Sequence, residues 1–218
     1  MPGRITPFVS GEYYHIYNRG SEKRKIFTQP RDFTRFLKTL FYYQFTGPRP
    51  SFSKFAKSQL NLSKPLGEEK IVELVCYCLM PNHFHFLIRQ LKDNGISKFM
   101  GQISNSYTKY FNIKYSRVGP LLQGAFKAVL IESEEQLIHV SRYIHLNPVV
   151  SGIVNKPDDY SWSSFPEYMH PTSNLCVSNE ILGLFSSREK YKEFVEAQID
   201  YGKKLEQMKH AFIDIEEE

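Results

Sequence analysis

Residues 71–90, IVELVCYCLMPNHFHFLIRQ, decide how this chain folds. Ile71–Met80 is a continuous apolar, β-branched run, Pro81-Asn82 forms a turn pair, and His83–Gln90 resumes as a second strand. This is the pattern of an antiparallel hairpin. Successive strand side chains point to opposite faces, so residues two apart share one face at roughly 7 Å between Cα atoms. His83 and His85 therefore leave one side of the second strand, while Phe84 and Phe86 leave the other, toward a core.

Upstream, Glu12–Asn18 (EYYHIYN) is aromatic and β-branched, and Gly20 closes it, so it reads as a first strand. A basic loop with Arg19, Lys23, Arg24 and Lys25 follows. Phe33, Phe36, Leu37, Leu40 and Phe41 then recur at helical spacing behind Pro30, and Gly47, Pro48 and Pro50 end that helix. Residues 46–70 are polar and punctuated by Pro65 and Gly67, a loop insertion with a short helix around Phe52–Leu60. Downstream, Ile96, Phe99, Met100, Ile103, Tyr107 and Tyr110 line one side of a helix, and Phe126–Glu132 is a further strand. Ser133 caps the next helix, with Gln136 reaching back in a capping box, and Pro148 is expected to stop it near Leu146. Strand, helix, strand, strand, helix, strand, helix is the order of an α+β fold: an antiparallel sheet with helices packed on it. Beyond Val154 the chain is irregular. From Ser178 it is amphipathic and helical around Ile181–Phe185 and Tyr191–Ile199, ending in the acidic run Glu216–Glu218. We divide it into a domain over 1–165 and a C-terminal helical extension over 166–218.

Composition is consistent with a folded chain. Hydrophobic residues make up 41% of the 218, enough for a core, so disorder is not the expectation. A net charge of +5 permits an acidic partner such as nucleic acid without requiring one. Cys76, Cys78 and Cys176 are an odd set without metal-site spacing, so we read them as buried thiols in a reducing compartment. The N-terminus has no signal-like apolar run and nothing reaches membrane-spanning length, so a cytoplasmic protein is expected.

Two constellations carry chemistry. The first is the His83/His85 pair. Two neutral imidazoles on one face can grip a divalent cation, though a working site needs a third ligand. Taken alone, the pair also fits two half-exposed histidines on an open sheet face. The second lies in SRYIHLNPVV, where Tyr143 and Asn147, four apart, stack on one helix face with His139 and Gln136, beside an apolar stripe of Leu137, Val140 and Ile144. A phenol with a pKa of about 10 needs a base or cation to act as a nucleophile. Asn147 could supply an amide oxygen as third ligand. A rim-packed tyrosine and an asparagine helix cap are the alternatives left open by these residues.

The surrounding text is more specific. LMPNHFHFLI resembles the histidine–hydrophobe–histidine signature of the HUH nuclease superfamily, and RYIHLNPVVSGIV resembles the tyrosine helix of its single-tyrosine transposases, particularly the REP-associated (RAYT) branch. YHIYNRG, QGAFKAVL and YSWSSF match further blocks of that branch in order, so the resemblance spans about Tyr13 to Phe165. It implies a ferredoxin-like antiparallel sheet with helices packed on one face and the active site at the other. It implies Mg²⁺ or Mn²⁺ held by His83 and His85, with Asn147 where relatives carry a polar third ligand. It further implies attack by Tyr143 on single-stranded DNA to give a 5′-phosphotyrosine link and a free 3′-hydroxyl, which conserves bond energy for rejoining. Ala125 and Val150 depart from the branch, standing where basic residues are frequent. Arg19, Lys23, Arg24, Lys25, Lys127 and Arg142 are the cations expected to compensate at phosphates. His15, on the first strand, could face the site and touch DNA or sit satisfied in the sheet. Tyr107 and Tyr110 are rival phenols assigned to the core.

The leading reading is thus a transposase: a metal-dependent single-stranded DNA endonuclease and strand transferase acting beside DNA hairpins, as monomer or homodimer and without a membrane partner. A non-catalytic or domesticated single-stranded nucleic-acid-binding protein of the same fold is the alternative. A phosphodiesterase using water as nucleophile is a third.

Overall fold

The protein is described here from a computed structural model covering residues 7–47, 52–57, 69–171 and 175–204. Four strands form the main sheet: β1 (Tyr13–Arg19), β4 (Val72–Met80), β5 (His83–Gln90) and β6 (Lys127–Ile131). Between them run α1 (Pro30–Tyr43), α2 (Phe52–Lys57) and α3 (Gly95–Lys114), and β2 (Phe45–Thr46) pairs with β3 (Glu69–Lys70) at the base of the insertion. The sheet order is β4-β5-β1-β6, with every neighbouring pair antiparallel. This is the split β-α-β topology of ferredoxin-like folds, as expected. The interior of the insertion and the acidic run Glu216–Glu218 lie outside the described residues.

Strand parity sorts the sheet into two faces. Ile16, Tyr77, Leu79, Phe84, Phe86 and Ile88 point to one side, where Phe36 and Leu40 of α1 and Ile96, Phe99, Ile103 and Tyr107 of α3 complete a core. Asp32 fastens those two helices. Its buried carboxylate accepts hydrogen bonds from Thr28, Gln29, Tyr110, Tyr115 and Lys114. Burial alone would raise its pKa, but the Lys114, Tyr115 and Thr28 bonds outweigh that and hold it well below the usual carboxylate range. Tyr107 is buried with its hydroxyl on Ile26 O, and Tyr110 is half-buried on Asp32, so both rival phenols stand across the sheet from the histidine pair.

The opposite face carries His15, Tyr17, His83, His85 and Lys127, with Cys76, Cys78, Met80 and Leu87 beside them. Helix α4 (Glu134–Val150) lies on this side, and Leu137, Ile144 and Leu146 pack on those apolar residues in a second core. The C-terminal segment extends that core through α5 (Phe165–Met169), α6 (Asn179–Leu182) and α7 (Arg188–Glu196), which contribute Phe165, Tyr168, Ile181, Tyr191 and Val195. The same segment occupies the outer edge of β4. Leu79 N donates to Trp162 O, Ser164 N to Tyr77 O, Val177 N to Leu74 O, and the Tyr160 and Tyr168 hydroxyls to Leu79 O and Val75 O. A strand edge that would otherwise be open is thereby paired.

Two expectations about α4 change. Gln136 accepts from Glu132 N at 2.8 Å instead of Ser133 N, although Ser133 does cap Gln136 N. The helix also does not stop near Leu146. Pro148 forgoes only its own N–H bond, and the turn continues because Ser151 N bonds Asn147 O and Ile153 N bonds Pro148 O. Ser151, not Asn147, is therefore the terminal residue, and the amide of Asn147 is not used as a cap.

Candidate active site

The site is built where β5, β1 and α4 meet. β1 lies between β5 and β6, and its register sets Tyr17 opposite both His85 and Lys127, and Arg19 opposite His83. His83 and His85 share one face, their ring centroids 5.0 Å apart and nearly perpendicular. Both Nδ1 atoms are engaged. His83 Nδ1 lies 2.6 Å from Asn82 Oδ1, and His85 Nδ1 lies 3.0 Å from His15 Nε2. An amide oxygen only accepts, so His83 Nδ1 is the donor to Asn82. If His85 donates from Nδ1 to His15, its own Nε2 carries the lone pair. This is how a ligating histidine is held: the remote N–H tied down, the other nitrogen exposed.

Burial keeps His15 and His85 neutral. His15 is lowered to about 4 by desolvation, and His85, 7% exposed, lies well below the ordinary imidazole value through burial and the neighbouring His83 and His15. Neutral imidazole is the form that binds metal. Asn147 Oδ1 lies 3.3 Å from His83 Nε2, which places the amide directly beside the imidazole. Two nitrogens and an amide oxygen are a plausible donor set for a small divalent cation. Among the described residues, no three His, Cys, Asp or Glu side chains form a metal-ligand set of their own.

Tyr143, one turn before Asn147, is 50% exposed, unlike the buried Ser141 and Ile144 around it. Its ring stands edge-on to His85 and His15, with centroids 5.4 and 5.9 Å away. The apolar stripe read from the sequence is what holds it there, since Leu137 and Ile144 bury against the sheet.

Two cavities flank His83. One, about 530 Å³, is lined by Tyr17, Asn18, Arg19, Lys23, Gln123 and Lys127 along with the histidines. The other, about 340 Å³, runs along α4 past His139, Arg142, Tyr143 and Asn147. Arg19 Nε donates to Gln123 Oε1, and Lys127 lies 6.0 Å over the Tyr17 ring. Of the expected cations, Arg24 and Lys25 line neither cavity. Arg24 is spent on Ser21 O and the Glu22 carboxylate. Gly20 permits this tight loop, because a Cβ there would meet Arg24 O at 2.2 Å. Ala125 and Val150, the two departures, line one cavity each. Asn82 and Gln123 were not singled out by the sequence. Only the position of Asn82, directly before His83, could have suggested a role.

Beneath Tyr143, α4 is locked by a buried polar relay. His145 Nδ1 lies 2.7 Å from the Tyr191 hydroxyl, which donates to Ser141 Oγ, and His145 Nε2 lies 2.8 Å from Ser164 Oγ. Burial lowers His145 to about 3. The unfolded chain therefore takes up a proton below about pH 6.5 that the folded chain refuses, so this contribution is intact above that pH and lost as pH falls toward 3. Between neutral pH and about pH 5 the loss from this group is about 2 kcal/mol. We expect denaturant melts of the wild type to show that loss over and above the loss seen in His145→Gln, which cannot titrate there. Equal pH slopes in the two proteins would contradict it.

Residues 50–147, from the insertion through Asn147, match the family described as "Transposase IS200 like", so this part of the chain is similar to IS200-like transposases. Among solved structures, one described as "Structure of the REP associates tyrosine transposase bound to a REP hairpin" shares the fold with a TM-score of 0.53 and 16% identity, covering 86% of this chain and 96% of that one. No curated protein matches the chain. The described residues contain no helix long and apolar enough to cross a membrane, and the three cysteines are free thiols.

Proposed function

We propose that this protein is a metal-dependent endonuclease and strand transferase that cuts single-stranded DNA through Tyr143. The observation that carries the reading is the half-exposed Tyr143 standing edge-on beside His85, with His83 next to it on the same sheet face. The phenolic oxygen of Tyr143 bonds to phosphorus, the bond from phosphorus to the 3′-oxygen breaks, the phenol proton is released and the leaving 3′-oxygen takes one up. His83, His85 and Asn147 are the residues that would hold Mg²⁺ or Mn²⁺. Such a cation, when bound, neutralises phosphate charge and polarises the phosphorus centre. Asn82 and His15 fix the two imidazoles. Arg19, Lys23 and Lys127 on one side and Arg142 on the other supply phosphate contacts.

The relative bound to a REP hairpin supports a hairpin-flanked substrate here too. In this reading residues 1–165 are the transposase domain and 166–218 an extension that buttresses α4, and the protein works in the cytoplasm as monomer or homodimer. The test is incubation with labelled single-stranded oligonucleotides, with and without a hairpin, in Mn²⁺, followed by a denaturing gel. We expect a cleaved strand and a protein-linked band, stronger beside the hairpin. Binding without either product would favour the non-catalytic alternative.

A further inference from the structure

The α4 cavity has a chemistry different from the basic one across His83. Its floor is apolar, made by Leu146 and Val150, and Gly202 closes it against Val150, where an added Cβ would meet Val150 Cγ2 at 2.7 Å. Tyr201, 61% exposed, stands at the rim with Gln198, and Tyr143 lines the same cavity. Arg142 is the cation on this side, its guanidinium stacked 4.3 Å over the Phe194 ring and bonded to His139. An apolar floor, the Tyr143 and Tyr201 rings and the Asn147 and Gln198 amides suit a flat group with apolar faces and a polar rim. That is a nucleobase rather than a phosphate.

Resting on the strand-cutting reading above, we infer that this groove is a nucleobase subsite: the base adjacent to the scissile phosphate lies over Val150 and Leu146, stacks on Tyr201 and offers its edge to Gln198. Val150, which stands where a cation is frequent in the resembled branch, is then not a lost phosphate contact. It is what makes the floor receptive to a base. A side-chain amide can donate or accept, so Gln198 gives a preference among bases, whereas stacking on Tyr201 tolerates all of them.

The test uses the full chain and a set of single-stranded oligonucleotides, each with an abasic position placed in turn around the cut. Binding is read by anisotropy in the Tyr143→Phe protein, and adduct formation is read in the wild type. We expect one position next to the cut where loss of the base weakens binding about tenfold. Adding Tyr201→Ala should weaken the intact oligonucleotide by a similar factor and abolish the penalty at that position alone, while Tyr201→Phe preserves it. Because Tyr201 is at the surface, melting temperatures should be unchanged. An abasic profile that is the same with and without Tyr201→Ala overturns the subsite. If the binding profile behaves as expected but the wild type forms no adduct, the subsite stands and the cutting reading fails.

Discussion

Tyr143→Phe is expected to abolish both strand cleavage and the protein-linked product while leaving DNA affinity near the wild-type value. The substitution deletes one oxygen from a half-exposed ring and keeps the ring that stands edge-on to His15 and His85. Folding stability should therefore change by no more than about 1.5 kcal/mol, the upper end of what one neutral hydrogen bond contributes. Removing a covalent nucleophile is a different matter, and losses on the order of 10⁴-fold or more are typical. The contrast between a large rate effect and a small stability effect separates a nucleophile from a packed aromatic. Single-turnover cleavage, anisotropy and a thermal melt on one preparation check it. Cleavage continuing at the wild-type rate would assign the chemistry to water, the third reading of the sequence.

The second large effect is expected at the histidine pair. His83→Ala removes the imidazole whose Nε2 faces Asn147 and whose Nδ1 is tied to Asn82. If that ring grips the cation, Mn²⁺ binding measured by calorimetry should fall below detection. Cleavage should drop by a factor on the order of 10³, since a bound cation supplies several kcal/mol of charge stabilisation. Asn82→Ala offers a graded control. It leaves the ring but frees Nδ1, and a loss of about 10- to 100-fold in metal affinity is the usual consequence of removing such an orienting partner. Full cleavage by wild-type protein in excess chelator would contradict the metal site. An unchanged Mn²⁺ isotherm in His83→Ala would do so independently.

Much of this arrangement was legible in the sequence. The Pro81-Asn82 turn and strict alternation of HFHFLIRQ place both histidines on one face, and no tertiary information is needed for that. Four-residue spacing does the same for Tyr143 and Asn147. What the sequence withheld is non-local. The contact of His15 with His85 depends on the register between β1 and β5, which Tyr17 opposite His85 sets and which no local pattern encodes. The extent of α4 is also non-local: a proline ordinarily ends a helix, whereas here the carbonyls of Asn147 and Pro148 find donors beyond it. The pairing of β2 with β3 involves two residues on each side, too few for periodicity to show. The role of the C-terminal helices in burying His145 beneath Tyr143 was equally hidden, because Tyr191 lies 46 residues away. Ser141 and His145, four apart and both buried, are the one local hint of a polar stripe turned inward.

The decisive measurement is peptide mapping by mass spectrometry of the protein–DNA adduct formed on a hairpin-flanked oligonucleotide in Mn²⁺. We predict a single modified peptide, bearing a phosphodiester-linked nucleotide on Tyr143. Modification of Tyr107, Tyr110 or Tyr201 in its place, or a cut strand with no modified peptide, would contradict the central claim.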